Sequence, residues 1–254
     1  MKKVVFGALA IAATATPAAY ADVTGVLDAG YQNSSYDPGS NFNGFYLGGA
    51  LQSDAWDGWA VQVDGRTILQ QWDNSNDYSH SYAAVHADTN SGAWDFGGWV
   101  GLQNYYGDGG WTIGGETRTA FDNFSAQGSV GYVHFSRTSS DYSGWDLNVS
   151  GAYFFNPDFA ITANVTGTWF DTSFQNYDAT EYGIGATYGF GNGFEVYGGY
   201  LRSDFHPDTN PDYNVDTWQI ALRFHFNGGT VQDYTNKGPS WNGAAVLTDT
   251  FSRW

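Results

Sequence analysis

The sequence predicts an all-β fold, a transmembrane antiparallel up-and-down β-barrel of about twelve strands. Three observations predict it. Period-2 alternation recurs along the chain, short and long connections alternate, and aromatic side chains gather at the two ends of the alternating segments. The alternation places one set of side chains on one face of an extended strand, which a helix would not do at this spacing.

The predicted strands cover residues 23–32, 43–52, 58–66, 80–88, 93–103, 111–119, 123–135, 145–155, 158–169, 181–190, 193–202 and 215–226. In 123–135, Phe124, Ala126, Gly128, Val130 and Tyr132 alternate with Ser125, Gln127, Ser129 and Gly131. In 145–155, Trp145, Leu147, Val149, Gly151 and Tyr153 alternate with Asp146, Asn148, Ser150 and Ala152. In 158–169, Phe159, Ile161, Ala163 and Val165 alternate with Ala160, Thr162, Asn164 and Thr166. The clearest case is the last, where Trp218, Ile220, Leu222, Phe224 and Phe226 interleave with Thr217, Gln219, Ala221, Arg223 and His225. Ten or fourteen strands are the alternatives to twelve.

The connections after the even strands are short: 53–57, 89–92, 120–122, 156–157 and 191–192. Those after the odd strands are mostly longer and rich in Asn, Asp, Ser and Tyr: 33–42, 67–79, 104–110, 136–144, 170–180 and 203–214. Outer-membrane barrels have this asymmetry, with tight periplasmic turns and long external loops. A β-sandwich does not. Both ends of the barrel are then expected on the periplasmic side. On the outward face Trp145 and Tyr153, Phe124 and Tyr132, Phe194 and Tyr200, and Trp218 and Phe226 bracket aliphatic stretches, and Phe159 opens another. These are the expected membrane girdles.

The N-terminus supports export. Lys2 and Lys3 precede a short apolar run, Val4–Ala15, and Ala19-Tyr20-Ala21 has the small-x-small form of a cleavage site. The run is too short to span a bilayer as a helix, which needs roughly 20 residues. Residues 1–21 are expected to be a cleaved signal peptide, 22–226 the barrel, and 227–254 a C-terminal extension whose structure the sequence leaves open between a periplasmic extension, a plug and an extra hairpin. No other segment is a candidate transmembrane helix, so a membrane-spanning chain must close into a barrel to satisfy its backbone.

The net charge is −17, with 26 Asp and Glu against nine Lys and Arg. This argues against nucleic acid, which needs clustered bases. The 19% aromatic content argues against disorder. The chain has no cysteine, which removes thiol nucleophiles, disulfides and Cys metal sites.

The hairpin from Tyr188-Gly189-Phe190-Gly191-Asn192-Gly193-Phe194 to Tyr200, and the strand Ala221-Leu222-Arg223-Phe224-His225-Phe226, resemble the end of Gram-negative porins. The resemblance covers about 180–226. It implies an outer-membrane barrel, with a passive channel as the further reading, inserted by the barrel-assembly machinery that reads the closing strand. Porins of the general trimeric type are longer and stop at their closing Phe, whereas this chain continues past Phe226. Trimeric assembly is therefore only an analogy, and a homo-oligomer remains open.

Asp28, Asp64, Arg66, His86, Asp95, Glu116, Arg118, Asp146, Glu195, Arg223 and His225 fall on the inward face in this register. They are the expected pore-lining set. Asp28 and Arg223 would sit at similar height where the first and last strands pair and could form an ion pair across that seam. Twelve strands lie between filled barrels of about eight and open porins of about 16–18, so a narrow pore and a lumen sealed by these side chains are both consistent. Acids in the predicted loops, among them Asp37, Asp73, Asp77, Asp108, Asp141, Asp171, Asp178, Asp204, Asp208 and Asp212, would favour cations at the mouth. They equally suit solubility and cation-bridged contact with lipopolysaccharide. Tyr36, Trp72, Tyr78, Tyr105, Tyr106, Tyr142 and Tyr177 suit ligand contact or packing over the mouth.

Catalytic signals are faint. Ser79-His80-Ser81 has no partnered acid at recognisable spacing, and His206 with Asp204 and Asp208 is the kind of fragment an Asp-rich loop produces by chance. No metal, no cofactor and no catalytic residue is expected, and no glycine motif opens a helix as a phosphate loop does. The first expectation is a channel for passive diffusion of small polar solutes, mildly cation-preferring. The alternative is a non-conducting barrel with a structural or adhesive role in outer-membrane lipid.

Overall fold

The computed structural model describes residues 23–37, 39, 41–72, 77–136, 141–172, 175–227 and 229–251. The expected signal peptide 1–21 and Asp73 lie outside the described residues. Twelve antiparallel strands close into a barrel in sequence order: β1 (Val23–Asp37), β2 (Asn41–Trp56), β3 (Trp59–Trp72), β4 (Asp77–Ser91), β5 (Trp94–Tyr105), β6 (Asp108–Phe121), β7 (Phe124–Ser136), β8 (Asp141–Asn156), β9 (Phe159–Thr172), β10 (Asn176–Gly189), β11 (Phe194–Pro207) and β12 (Tyr213–Phe226). β1 pairs with β12 from Gly25–Phe226 to Asp37–Asn214, so no edge is left unpaired.

The two ends of the barrel differ less than the sequence suggests. One end is made of tight turns, such as Asp57-Gly58, where Gly58 takes φ 74° and suits the left-handed geometry of a two-residue hairpin. At the other end the polar stretches expected to be long loops are mostly strand. β8 begins at Asp141 and β10 at Asn176, and only residues 106–107 separate β5 from β6. Strands of 12–16 residues rise roughly 30 Å or more at ~45° tilt, more than an apolar band of about 25 Å. Their polar ends continue the ladder above that band. Asp37, Asp108, Asp141, Asp171, Asp178 and Asp204 therefore sit on strands, and Asp208 and Asp212 in the β11–β12 connection.

The outward face is apolar and exposed. Leu27, Val63, Val100, Leu147, Val149, Val165, Ile184 and Ile220 form its middle band. A ring of aromatics lies at each margin. Trp111, Tyr132, Trp145, Trp169, Tyr182, Tyr200 and Trp218 lie toward the far end, and Trp59, Trp94, Phe124, Tyr153, Phe159, Phe194, Phe224 and Phe226 toward the short-turn end. Neighbouring rings touch, as Tyr132 and Trp145 do at 4.9 Å and Phe194 and Phe224 at 4.9 Å. A soluble sheet would bury such a face. This one fits a hydrocarbon slab bounded by two interfaces.

The segment after β12 folds inside the barrel. It forms α1 (Val231–Lys237) and α2 (Gly243–Phe251). Thr230 caps α1 and receives its capping box from Asp233. The extension is thus neither an added hairpin nor a free tail.

Candidate functional site

The candidate site is the lumen, and its floor is built from the turns. Gln232 donates its N–H to Pro157 O at 2.9 Å and its side chain to Asp122 O at 2.5 Å, while Val231 packs on Ala152, Phe154 and Ala160. α1 therefore rests across the short-turn end. The chain then crosses the lumen through 238–242. Here Gln62, fully buried, pairs with both backbone groups of Trp241, donating to its O at 2.9 Å and accepting from its N–H at 3.2 Å. Arg118 donates to Gly238 O at 3.2 Å and Ser240 Oγ at 2.7 Å, and its guanidinium lies 4.6 Å from the centre of the Trp241 ring. α2 runs on along the inner wall of β4–β8. Gly243 approaches Trp99 so closely that a Cβ would lie 2.4 Å from its ring.

All eleven residues of the expected pore-lining set lie on the inward face. They are not arranged round an open channel. His86, fully buried, sits between Asp64 at 2.7 Å and Glu116 at 2.5 Å, and Tyr82 donates to Asp64 at 2.7 Å. Glu116 also accepts from the Gly243 N–H at 3.3 Å, at the start of α2. Arg118 closes on Asp95 at 2.9 Å. Glu195 is shared by Arg223 at 2.9 Å and His225 at 2.7 Å. Asp146 is buried on β8.

At the seam the expected register holds but the ion pairs differ. Asp28 and Arg223 are partners in register, yet Asp28 pairs with Arg66 at 3.3 Å and Arg223 with Glu195. Each arginine is drawn sideways by a tyrosine face, Arg66 over Tyr46 at 4.8 Å and Arg223 over Tyr197 at 5.1 Å. Arg66 also reaches the tail, at 2.9 Å from Asp249. Glu181, not among the expected residues, accepts from Ser203 at 2.6 Å and Thr250 at 2.7 Å.

Beside the tail a cavity of about 350 Å³ remains. Its wall carries Asp28, Arg66, Glu195 and Arg223, and its tail side Tyr234, Trp241 and Asp249. Burial raises the Tyr234 phenol above its usual value, so it stays neutral there. Packed rings line the far end of the lumen. Phe42 stacks on Trp72 at 4.7 Å and Phe205 on Tyr213 at 4.8 Å, while Tyr105, Tyr142 and Tyr177 pack against Phe135 and Phe170. The aromatics expected in loops thus pack on one another.

The two catalytic fragments do not assemble as nucleophile and base. His80 points inward on β4, bonded to Gln70 at 3.0 Å, while Ser79 and Ser81 take the opposite face. His206 pairs with Asp212 at 3.1 Å in exposed positions, and Asp204 with Arg202 at 2.9 Å. The residues missed by sequence reading are Gln62 and Glu181 on the wall and those of the tail they hold. The one available signal was the capping pair Thr230 and Asp233, with the apolar Val231 between them.

Neither a protein-family model nor a curated protein matches the sequence. Solved structures share its fold. An outer membrane channel of Pseudomonas putida F1 superposes with a TM-score of 0.61 at 11% identity, over 81% of this chain and 95% of that one. The beta domain of the Bordetella autotransporter BrkA does so with a TM-score of 0.51 at 13% identity, over 81% and 100%. At such identities the likeness is one of fold, and the fold is that of an outer-membrane β-barrel.

Proposed function

We propose that the protein is an outer-membrane channel of a Gram-negative bacterium for small polar solutes, held shut by its own C-terminal segment. One observation carries this reading. The lumen is not filled as a core, because a charged cavity of about 350 Å³ persists beside a tail anchored by hydrogen bonds and ion pairs rather than by apolar packing alone. A lumen that only had to be filled could be closed by apolar side chains, since replacing a buried ion pair by apolar packing is often neutral or stabilising. In this orientation the short turns and α1 face the periplasm and the polar strand ends face outward among lipopolysaccharide. The acids along those ends would draw cations to the mouth.

The test is single-channel conductance in planar bilayers of the chain from Asp22, beside one stopped at Phe226. The expected result is a silent or rarely opening full chain and a steadily conducting shortened one that prefers potassium over chloride. Silence from both, with folded barrels on gels, would overturn the channel. It would favour a non-conducting barrel with a structural or surface-binding role, which the tightly packed rings at the outer end also suit.

A further inference from the structure

One row of the inner wall faces the cavity with alternating charge. Glu195 on β11, Arg223 on β12, Asp28 on β1, Gly48 on β2 and Arg66 on β3 are successive register partners. Gly48 leaves a gap in this row. A Cβ there would lie 2.5 Å from Asp28 Oδ1, so the Asp28 carboxylate fills the gap and reaches Arg66. The next inward row is Tyr197, Ala221, Gly30, Tyr46 and Ile68. Its two tyrosines form a shelf, and each carries one guanidinium on its face.

Asp28 and Glu195 do not use all the donors of the two arginines. Arg223 donates to Glu195 from Nη1, and among the described residues nothing accepts from its Nε or Nη2. Its side chain keeps 28% of its surface open and lines the cavity. Arg66 holds a further carboxylate, and this one belongs to the tail. Both oxygens of Asp249 accept from Arg66 Nη1, at 2.9 and 3.3 Å, and Asp249 lines the same cavity. The fold thus shows which group this wall takes, since a guanidinium suits a carboxylate in charge and in donor geometry. Across the cavity Gln127, Asn148, Ser150, Thr162 and Asn164 offer neutral amides and hydroxyls. The volume of about 350 Å³ is at the small end of ligand pockets, which run to roughly 1,000 Å³.

We propose that the cavity binds a small organic acid, with one carboxylate and a neutral oxygen a few atoms away, whose carboxylate replaces that of Asp249 on Arg66. The neutral oxygen accepts from the open donors of Arg223, and the rest of the solute lies against the amide and hydroxyl wall. Because solute and Asp249 compete for one guanidinium, the bound solute favours the released tail. This rests on the reading of the cavity as the solute site of a shut channel. The acids of the strand ends act on how fast an anion arrives, whereas the arginines set how tightly it is held.

The test is calorimetric titration of sodium gluconate into the full chain in detergent, at an ionic strength held constant with sodium chloride, and of sorbitol as the uncharged match. Gluconate should bind and sorbitol should not. Asp249→Asn removes the competing carboxylate and should tighten gluconate by about threefold, whereas a misfolded variant would weaken it. Arg66→Gln should abolish binding. Trypsin cleavage after Lys237 should quicken about threefold once gluconate reaches about twice its dissociation constant, since only the released state binds it. No gluconate binding to either the wild type or Asp249→Asn, equal binding of sorbitol, an affinity unchanged in Asp249→Asn, or cleavage indifferent to gluconate would overturn the site. Gluconate binding, with the chain stopped at Phe226 silent in bilayers, would uphold the site and remove the channel. Conductance without gluconate binding would do the reverse.

Discussion

Single side chains decide whether the tail stays seated. Gln62 meets the backbone of Trp241 with both ends of its amide, so it recognises the path of the segment rather than its side chains. Gln62→Ala leaves two buried backbone groups unpaired, at a cost of about 1–3 kcal/mol each. Trp241→Ala empties the space under Arg118 and should cost about 3–5 kcal/mol. Both losses should appear as faster trypsin cleavage after Lys237, with the barrel itself still resistant; unchanged cleavage would mean that the tail is held elsewhere. At this scale the sequence was legible in parity and no further. Alternation put Asp28, Arg66 and Arg223 on one face. It could not say that Asp28 would choose Arg66, because that choice depends on tyrosines from two other strands.

Among the elements, α1 is the one most open to titration. Thr230 donates to the Asp233 carboxylate from both its N–H and its hydroxyl, and these bonds hold that carboxyl below its usual range. A depressed folded-state value means stability that is present above the unfolded value of about 3.9 and lost as pH falls through the folded one. Amide protection in α1 should therefore hold at neutral pH and decline in acid below about pH 4, while the barrel strands stay protected. Thr230→Ala should remove the cap at any pH, at about 0.5–2 kcal/mol. Protection in α1 that is indifferent to both changes would show that its contacts with the turns suffice. The strands were legible as elements because alternation survives any sequence noise. Their outer ends were not. Asn, Asp, Ser and Tyr above the apolar band look like loop residues, yet a neighbouring ladder carries them on as strand. The tail was illegible because its fit depends on Gln62, Arg118 and Glu116, which are remote in sequence and gathered only by closure.

The whole molecule is defined by what it turns outward. Val149 is 59% exposed midway between the girdle residues Trp145 and Tyr153. In a bilayer Val149→Arg should cost about 2–4 kcal/mol, the depth-dependent charge for a lipid-facing basic residue. In a water-soluble sheet it should cost almost nothing. Folded yield in lipid vesicles against denaturant separates the two, and an unaffected variant would remove the membrane assignment. Fold class was legible at this scale because the bilayer imposes it on every strand at once. What occupies the lumen was not, since no periodicity records it.

A closed sheet is stiff along its ladder, but like any hoop it is easily flattened. Here Arg66 on β3 and Glu181 on β10, on well-separated walls of the twelve-membered ring, grip adjacent residues of one helix, Asp249 and Thr250. That helix therefore works as a spoke, fixing the distance between walls that the hydrogen-bonded rim leaves free. Withdrawing it would do more than clear a path, because the cross-section itself would become compliant and the opening would take its shape from the pressure of the surrounding lipid.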